Sequence, residues 1–288
     1  MGSVEALNSV KKIIEGEHER VIVVVSAMSG ATNSLLEIAR LAQEGKADEV
    51  EPIINGLYER HRDVAKQLLP APLAASYDSS IKYLIKENVK TAAAWLAANG
   101  EASALMRDRM TNHIVATGEM ASSGLLRLML ADAAIAFAPE FIKTKRTAEG
   151  TDVLDEAATR RLVVDALATQ TAHATVTQGF ISSDARSDQE TTLGRGGSDY
   201  TAAIIAAALM AESLEIWTDV DGFMTADPRV DATATVIPRM TYGEAYALAA
   251  AGAKVVYPPT IAPVEAAGIP VWIKNTFNPA APGTVISL

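Results

Sequence analysis

VIVVVSAMSGATN, residues 21–33, opens with five consecutive β-branched residues and closes on a glycine-bearing turn. An unbroken Val and Ile run lacks the alternation of a strand with one wet face. It predicts a strand covered on both sides, as in a parallel sheet. Ahead of it, SVEALNSVKKII at 3–14 carries apolar residues at helical spacing, and behind it LLEIARLAQEG at 35–45 does the same. The opening order is thus helix, strand, helix, and a parallel βαβ unit wants a further strand in front of the first helix.

The alternation continues downstream. HIVATG at 113–118, AIAFA at 134–138, ATVTQGF at 174–180, LEIWTDV at 214–220, VWIKNT at 271–276 and TVISL at 284–288 read as strands. MASSGLLRLMLADA at 120–133, EAATRRLVVDALAT at 156–169, DYTAAIIAAALMA at 199–211 and YGEAYALAAAGA at 242–253 read as helices between them. Strand alternating with helix predicts an α/β sandwich with a mostly parallel sheet. Residues 47–112 differ: they are helical nearly throughout, with Pro70 and Pro72 the strongest interruption, and read as a helical insertion forming a lid or a dimer face. There is no internal repeat or low-complexity tract.

Composition narrows the function. At 288 residues and 49% hydrophobic, with a mean hydropathy of +0.14, the chain can bury a large core as one domain, or as two lobes sharing a sheet. Acidic residues outnumber basic ones by 35 to 25, a net charge of -10, so no basic stripe exists for a nucleic acid to follow. An anionic substrate must then be held by local devices: helix N-termini, a few placed Lys or Arg, and a divalent cation. The absence of cysteine excludes disulfides, thiolate chemistry and cysteine zinc sites, and four His leave little for a transition metal. No apolar run reaches membrane-spanning length and no secretory pattern opens the chain, so the cytoplasm is the default compartment.

The densest chemical signal is TTLGRGGSDYTAA at 191–203, where glycines 194, 196 and 197 stand between a strand and an alanine-rich helix. Such a turn bares backbone N–H groups at a helix N-terminus, an anion cradle with Arg195 beside it as a fixed positive charge. The same residues also make a plain tight turn with Ser198 as N-cap and Asp199 favouring the macrodipole. Neither GxxxxGK followed by Ser or Thr nor GxGxxG is present, so a different phosphate-binding architecture is required. SAMSGATN at 26–33 is a second strand-to-helix turn, whose Ser26, Ser29 and Thr32 hydroxyls either cap the helix or meet a carboxylate or phosphate. EIWTDVDGFMTADPR at 215–229 is either an Asx-rich turn or a nucleotide loop, with Thr218 and Asp219 at base or ribose and Arg229 at phosphates. GAKVVYPP at 252–259 presents Lys254, a residue type that is ordinarily solvated.

Together and in this order, SAMSGATN, ATGE (116–119), TQGF (177–180), TTLGRGGSDYTAA, WTDVDGFMTADPR (217–229), YGEAYALAAAGAKVVYPP (242–259) and IKNTFNPAAPGT (273–284) resemble the signatures of the aspartokinases, across residues 1–288. The resemblance implies the amino-acid kinase fold, a three-layer αβα sandwich with a mostly parallel central sheet. Residues from about 1 to 190 would bind L-aspartate and those from about 191 to 288 ATP. It implies phosphorylation of the aspartate side-chain carboxylate by ATP with Mg2+, the first step toward lysine, threonine and methionine, in a cytoplasmic homodimer. Position by position, Ser26 and Thr32 match the aspartate-side turn and Glu119 the substrate-site glutamate. Arg195 would pair bidentately with a substrate carboxylate, and Ser198 and Asp199 lie where the glycine turn meets the reaction centre, Asp199 orienting the catalytic lysines. Gly196, Gly197, Thr218, Asp219, Met224, Arg229 and Lys254 match the nucleotide side, Lys254 reaching the transferring phosphate.

Three departures accompany the resemblance. Aspartokinases open with a strand and turn of the form KFGGTSVGS, whose Lys lies at the transferring phosphate; here Met-Gly2-Ser3-Val4-Glu5 matches only the tail of that element. Met224 stands where aspartokinases often place Tyr, and the regulatory ACT domains that usually follow are not part of these 288 residues, within which feedback by lysine or threonine is expected to have no place to act. Two rivals follow: another amino-acid kinase acting on glutamate, acetylglutamate, carbamate or a nucleotide, and a binding remnant without turnover. Loss of one of two cations at a phosphoryl group should slow transfer by roughly 10²-fold or more. The 288-residue chain is therefore expected to form aspartyl phosphate slowly, and a version given the KFGGTSVGS-type opening to form it faster. Equal full activity in the two would sink that expectation.

Overall fold

The computed structural model of the chain describes residues 2–226, 233–253 and 255–288. The first helix, α1 (Val4–Gly16), starts at Ser3, whose hydroxyl accepts from the Ala6 amide. VIVVV forms β1 (Val21–Val25), and α2 (Ala31–Gln43) follows. The helical stretch contains α3 (Ala47–Leu68) and α4 (Ala71–Ile81), then a π-helical segment, Lys82–Val89, and α5 (Lys90–Ala98). Pro70 and Pro72 separate α3 from α4 as expected, because proline cannot donate to the preceding turn but suits the first turn of the next helix. Then come α6 (Ala104–Met129), β2 (Ala133–Ala136), α7 (Ala138–Phe141), β3 (Lys143–Arg146), β4 (Asp152–Leu154) and α8 (Glu156–Leu167). The second half holds β5 (Ala174–Gln178), β6 (Ile181–Asp184), β7 (Glu190–Thr192), α9 (Gly197–Leu209) and β8 (Leu214–Thr218). It ends with β9 (Arg239–Thr241), α10 (Tyr242–Ala250), α11 (Ile261–Ala267), β10 (Val271–Asn275) and β11 (Thr284–Ser287).

The α/β class holds, with parallel pairing predominant, but hydrogen bonding divides the strands into three sheets rather than one. One is wholly parallel, in the order β1-β5-β2, with Val21 opposite Ala174 and Val25 opposite Gln178. A second runs β8-β10-β11-β9, parallel except between β10 and β11. The third runs β4-β3-β6-β7, with only β3 and β6 parallel. Among the described residues β1 and β8 each pair on one edge alone, and α9 packs on both.

One sequence expectation is overturned. HIVATG at 113–118 is not a strand but the middle of α6. Ile114 through Glu119 are all buried, because α6 packs against α2, α5, β5 and β7. A helix segment covered on every side shows no 3.6-residue alternation, and its apolar run then looks like a buried strand. Conversely β3, β4, β6, β7 and β9 are short and rich in Thr, Ser and charge, and gave no strand pattern.

Three apolar clusters support this frame. The largest joins β1, β5 and β2 to α2 and α6, and takes in Ile54, Leu57, Tyr77, Ile81, Val89 and Leu96 of the helical stretch, which is thereby part of the main core. α9 places Ala203 and Ala206 in a second cluster with β8, β10 and α11, and Ile204 and Ile205 in a third with Phe141 and Val163. A buried ion pair fixes α6 to the third sheet: Arg109, 7% exposed, donates to both oxygens of Asp152 at 2.6 and 3.0 Å and lies 3.7 Å from Asp184. Removing one partner of such a group strands the other's charge, at about 3–5 kcal/mol. Arg146 still reaches Asp152 at 3.2 Å, so Arg109→Met is expected to cost about 3 kcal/mol, read as a lower urea midpoint with unchanged m-value.

Candidate functional site

β1 and β5 run side by side and end level, and the Gly179 amide donates to the Val25 carbonyl at 2.9 Å. Their carboxyl-end turns, 26–30 and 179–180, are therefore neighbours, and the crevice outside such strand ends is where open α/β sheets place ligands. A cavity of about 380 Å³ lies there, lined by residues 26–30, Thr32, Asn33, Glu119, Phe180 and 194–199.

Two helices begin at this cavity without side-chain caps. The residue before α2 is Gly30 and the residue before α9 is Gly196, both left-handed, and neither helix start has a capping hydrogen bond from a side chain. Gly196 rather than Ser198 is thus the residue before α9, Asp199 stands in its first turn where an acid favours the macrodipole, and Thr32 lies inside α2. Ala31 and Gly197 donate to the Met28 and Gly194 carbonyls, while the Thr32, Asn33, Ser198 and Asp199 amides find no acceptor among the described residues. Bare N–H groups plus the positive end of two macrodipoles make an anion site. Two glycines allow the approach. Gly196 has φ 69 and a Cβ there would stand 2.3 Å from Tyr257 Cβ; at Gly179 a Cβ would stand 2.6 Å from Ser198 Oγ.

The polar wall opposite comes from α6. Glu119 is 3% exposed; its Oε1 accepts from the Ala27 amide at 3.3 Å and its Oε2 has no partner. Burial pushes its pKa up to about 7, only partly offset by the Ala27 N–H. Burial likewise raises Asp199 to about 6, against the Tyr257 backbone N–H, which favours the ionised form. Ser122, one turn on from Glu119, donates to the Ser26 carbonyl at 2.7 Å, so α6 grips the 26–27 turn twice. Gln178 is fully buried and spends both ends of its amide, donating to Ser123 Oγ and accepting from the Ala138 amide. The Phe180 amide donates to Thr201 Oγ1, whose hydroxyl donates to the Gly197 carbonyl, linking the two turns.

Of the residues singled out from sequence, Ser26, Thr32, Glu119, Arg195, Gly196, Gly197, Ser198 and Asp199 line this one cavity. Thr218 and Asp219 lie at the carboxyl end of β8, where the Thr218 carbonyl accepts from Thr276, and Met224 bridges to Val236; none of the three lines it. Arg229 and Lys254 lie outside the described residues. Sequence reasoning passed over Asn33, Met28 and Phe180, which holds φ 66 on the cavity wall. Its only signal was position, directly after the Gln-Gly that ends a strand.

Residues 3–275 match the model of the amino acid kinase family. The chain belongs to that family. This amino acid kinase is 33% identical over 291 residues to the lysine-sensitive aspartokinase 3 of Escherichia coli, covering 98% of this chain and 61% of that protein. It is 32% identical over 283 residues to the chloroplastic bifunctional aspartokinase/homoserine dehydrogenase 2 of Arabidopsis thaliana, covering 97% of this chain and 30% of that one. It thus spans about a third of the bifunctional plant relatives and about six tenths of the bacterial one. Among solved structures, E. coli aspartokinase III with aspartate and ADP (R-state) superposes with a TM-score of 0.85 at 30% identity, over 99% of this chain and 62% of that one. The same enzyme with lysine and aspartate (T-state) gives 0.78 at 31% identity, again over 99% and 62%.

Glu119 has a stability signature. Its folded pKa lies above the unfolded value of 4.5, so the stability it contributes is full below that value and is lost as pH rises through about 7. Glu119→Gln is expected to raise Tm relative to the parent at pH 8 and to leave it nearly unchanged at pH 4.5; an equal shift at both pH values would contradict the buried, unpaired carboxyl.

Proposed function

We propose that this amino acid kinase transfers the γ-phosphoryl group of ATP to the side-chain carboxylate of L-aspartate, giving 4-phospho-L-aspartate and ADP. The observation that carries the reading is the meeting, in one cavity, of the unpartnered Glu119 oxygen with the bare amides of two helix N-termini. An α-amino acid has one ammonium and, for aspartate, two carboxylates. Glu119 offers an anion for the ammonium, and Arg195 a planar donor pair for a carboxylate. Ser26 and the α2 amides supply further donors. The crystal structure of E. coli aspartokinase III holding aspartate and ADP, similar over 99% of this chain, supports both substrates.

In the transfer a carboxylate oxygen attacks the γ-phosphorus as the bond to the β,γ-bridging oxygen breaks, and ADP leaves with that electron pair. The attacking carboxylate is already ionised, so no general base is needed and catalysis is positioning plus charge stabilisation. The α9 amides with Ser198 stabilise charge on the transferring oxygens, since they are fixed before the substrate arrives. Residues from about 1 to 190 hold aspartate and those from about 191 to 288 the nucleotide, through Thr218, Asp219, Met224, Arg229 and Lys254. Among the described residues no group of three carboxylates or histidines could hold a metal. Asp199, a carboxylate on the cavity wall, is the residue that would hold a magnesium ion there, and the ion would neutralise phosphate charge.

Aspartate-dependent ADP release is expected, with glutamate and UMP giving little. Because Glu119 pairs with the ammonium only when ionised, the aspartate KM should fall as pH rises through about 7 and flatten in Glu119→Gln. Arg195→Ala should lower kcat/KM by roughly 10²-fold. A thermal shift with ATP and magnesium but no ADP release on any acceptor would leave a binding protein without turnover and overturn the proposal.

A further inference from the structure

Arg60 lies on α3, in the helical stretch that the sequence reads as an insertion, and it does not line the cavity. Its Nη1 donates to the Ser29 carbonyl at 2.6 Å and its Nη2 to the Gly2 carbonyl at 3.1 Å. Both hydrogen bonds thus go to backbone rather than to a carboxylate. Ser29 belongs to the cavity turn between β1 and α2, and Gly2 leads into α1. These two segments touch closely: a Cβ on Gly2 would stand 2.8 Å from Ser29 Cβ. The guanidinium fork, with donors in a fixed plane, closes the seam between them, as a single ammonium could not.

The next residue makes a second tie. His61 is 1% exposed, with Nδ1 2.9 Å from the Tyr77 hydroxyl, and that hydroxyl donates to the Ala121 carbonyl at 2.9 Å. A hydroxyl has one proton, already given to Ala121, so His61 carries its proton on Nδ1 and donates to Tyr77. Burial pushes the His61 pKa down to about 4, so the ring stays neutral and the tie is insensitive to pH in the neutral range. Ala121 is two residues past Glu119 on α6. Arg60 therefore holds a carbonyl of the Ser26–Gly30 turn directly, while the adjacent His61 reaches the Ala121 carbonyl, two residues past Glu119, through the Tyr77 hydroxyl of α4.

We propose that Arg60 is a positioning residue for the amino-acid half of the cavity, setting the distance of the Ser26–Gly30 turn from Glu119 through the Ser29 carbonyl. The proposal rests on the functional reading above and adds a residue that touches no substrate. A carboxylate held by that turn and an ammonium held by Glu119 belong to one small molecule, so a shift of the turn breaks the match for the amino acid and leaves the nucleotide unaffected.

The test uses the whole chain and two readouts, aspartate Kd by calorimetry and steady-state kinetics with aspartate and ATP. Arg60→Ala is expected to weaken aspartate at least about tenfold in Kd and KM, with ATP KM within about twofold, and Arg60→Lys to recover part of the loss. Gly2→Ala keeps the guanidinium but crowds Ser29 and, at 3.4 Å, Arg60 Nη2, and should shift aspartate affinity in the same direction. Unchanged aspartate affinity in a folded Arg60→Ala overturns the proposal; so do parallel losses for aspartate and ATP with a lowered Tm, which mark general damage. If Arg60→Ala does not fold, unchanged aspartate affinity in Gly2→Ala overturns it. Absence of aspartate binding by the parent chain overturns the functional reading itself, and the role of Arg60 with it.

Discussion

The hydrogen bond from the Gly179 amide to the Val25 carbonyl extends the β1–β5 ladder by one step past its last paired residues, and the site depends on it. It sets the carboxyl ends of two parallel strands level, so that the turns leaving them form one rim. On that rim Gly179 lets Ser198 come within a distance no side chain would permit, which brings the start of α9 to the cavity that the start of α2 also lines. Neither helix start is capped by a side chain, so the donors that would otherwise be satisfied internally face the cavity. A one-residue slip between β1 and β5 would reverse which side chains face the core and separate the two turns; five β-branched residues against the fully buried ATVTQ strand make such a slip costly.

The polar groups behind the rim divide into two kinds. Gln178, Ser122, Thr201 and Ser123 are buried and matched, each hydrogen-bonded to an element it must hold in place. Glu119 is buried and half matched, and Asp199 is shifted the same way. A matched network adds rigidity, whereas an unmatched carboxyl costs stability and persists where a ligand completes it. The two kinds are interleaved on α6: Glu119 and Ser122 stand a turn apart and grip the same loop. The rigid contacts therefore hold the unpartnered carboxyl oxygen on the cavity wall.

Much of this was legible in the sequence, for identifiable reasons. The parallel strands β1 and β5 were readable from runs rich in β-branched residues, β8 and β10 from the alternation of buried and half-buried positions, and the turns before α2 and α9 from the glycines that take their left-handed conformation. HIVATG was misread because complete burial erases helical periodicity, and β3, β6 and β7 were invisible because they are short, with Ser182, Thr144 and Thr191 bonding one another where apolar residues would have given a pattern. Phe180 gave only its place after the Gln-Gly of TQGF, and Arg60 and Tyr77 gave no local signal. Their importance comes from partners 21, 31 and 44 residues away in the chain, which no sequence window contains.

Net charge explains why backbone amides rather than lysines dominate the described part of the site. A chain at -10, with ten more acids than bases, sets up a field that repels nucleotide and dicarboxylate alike. Added lysines would be drawn into pairs with the surplus acids, as Lys46, Lys90 and Lys274 are. A helix N-terminus cannot be neutralised in that way: its N–H groups are fixed by the helix, screened little inside a cavity, and carry no net charge to attract a distant carboxylate. Two such termini on one cavity concentrate donor capacity there, where the repulsive field of the whole molecule matters least. The overall acidity and the anion-binding role are therefore compatible, provided that the donors belong to the backbone and the backbone is held as tightly as β1, β5 and α6 hold it here.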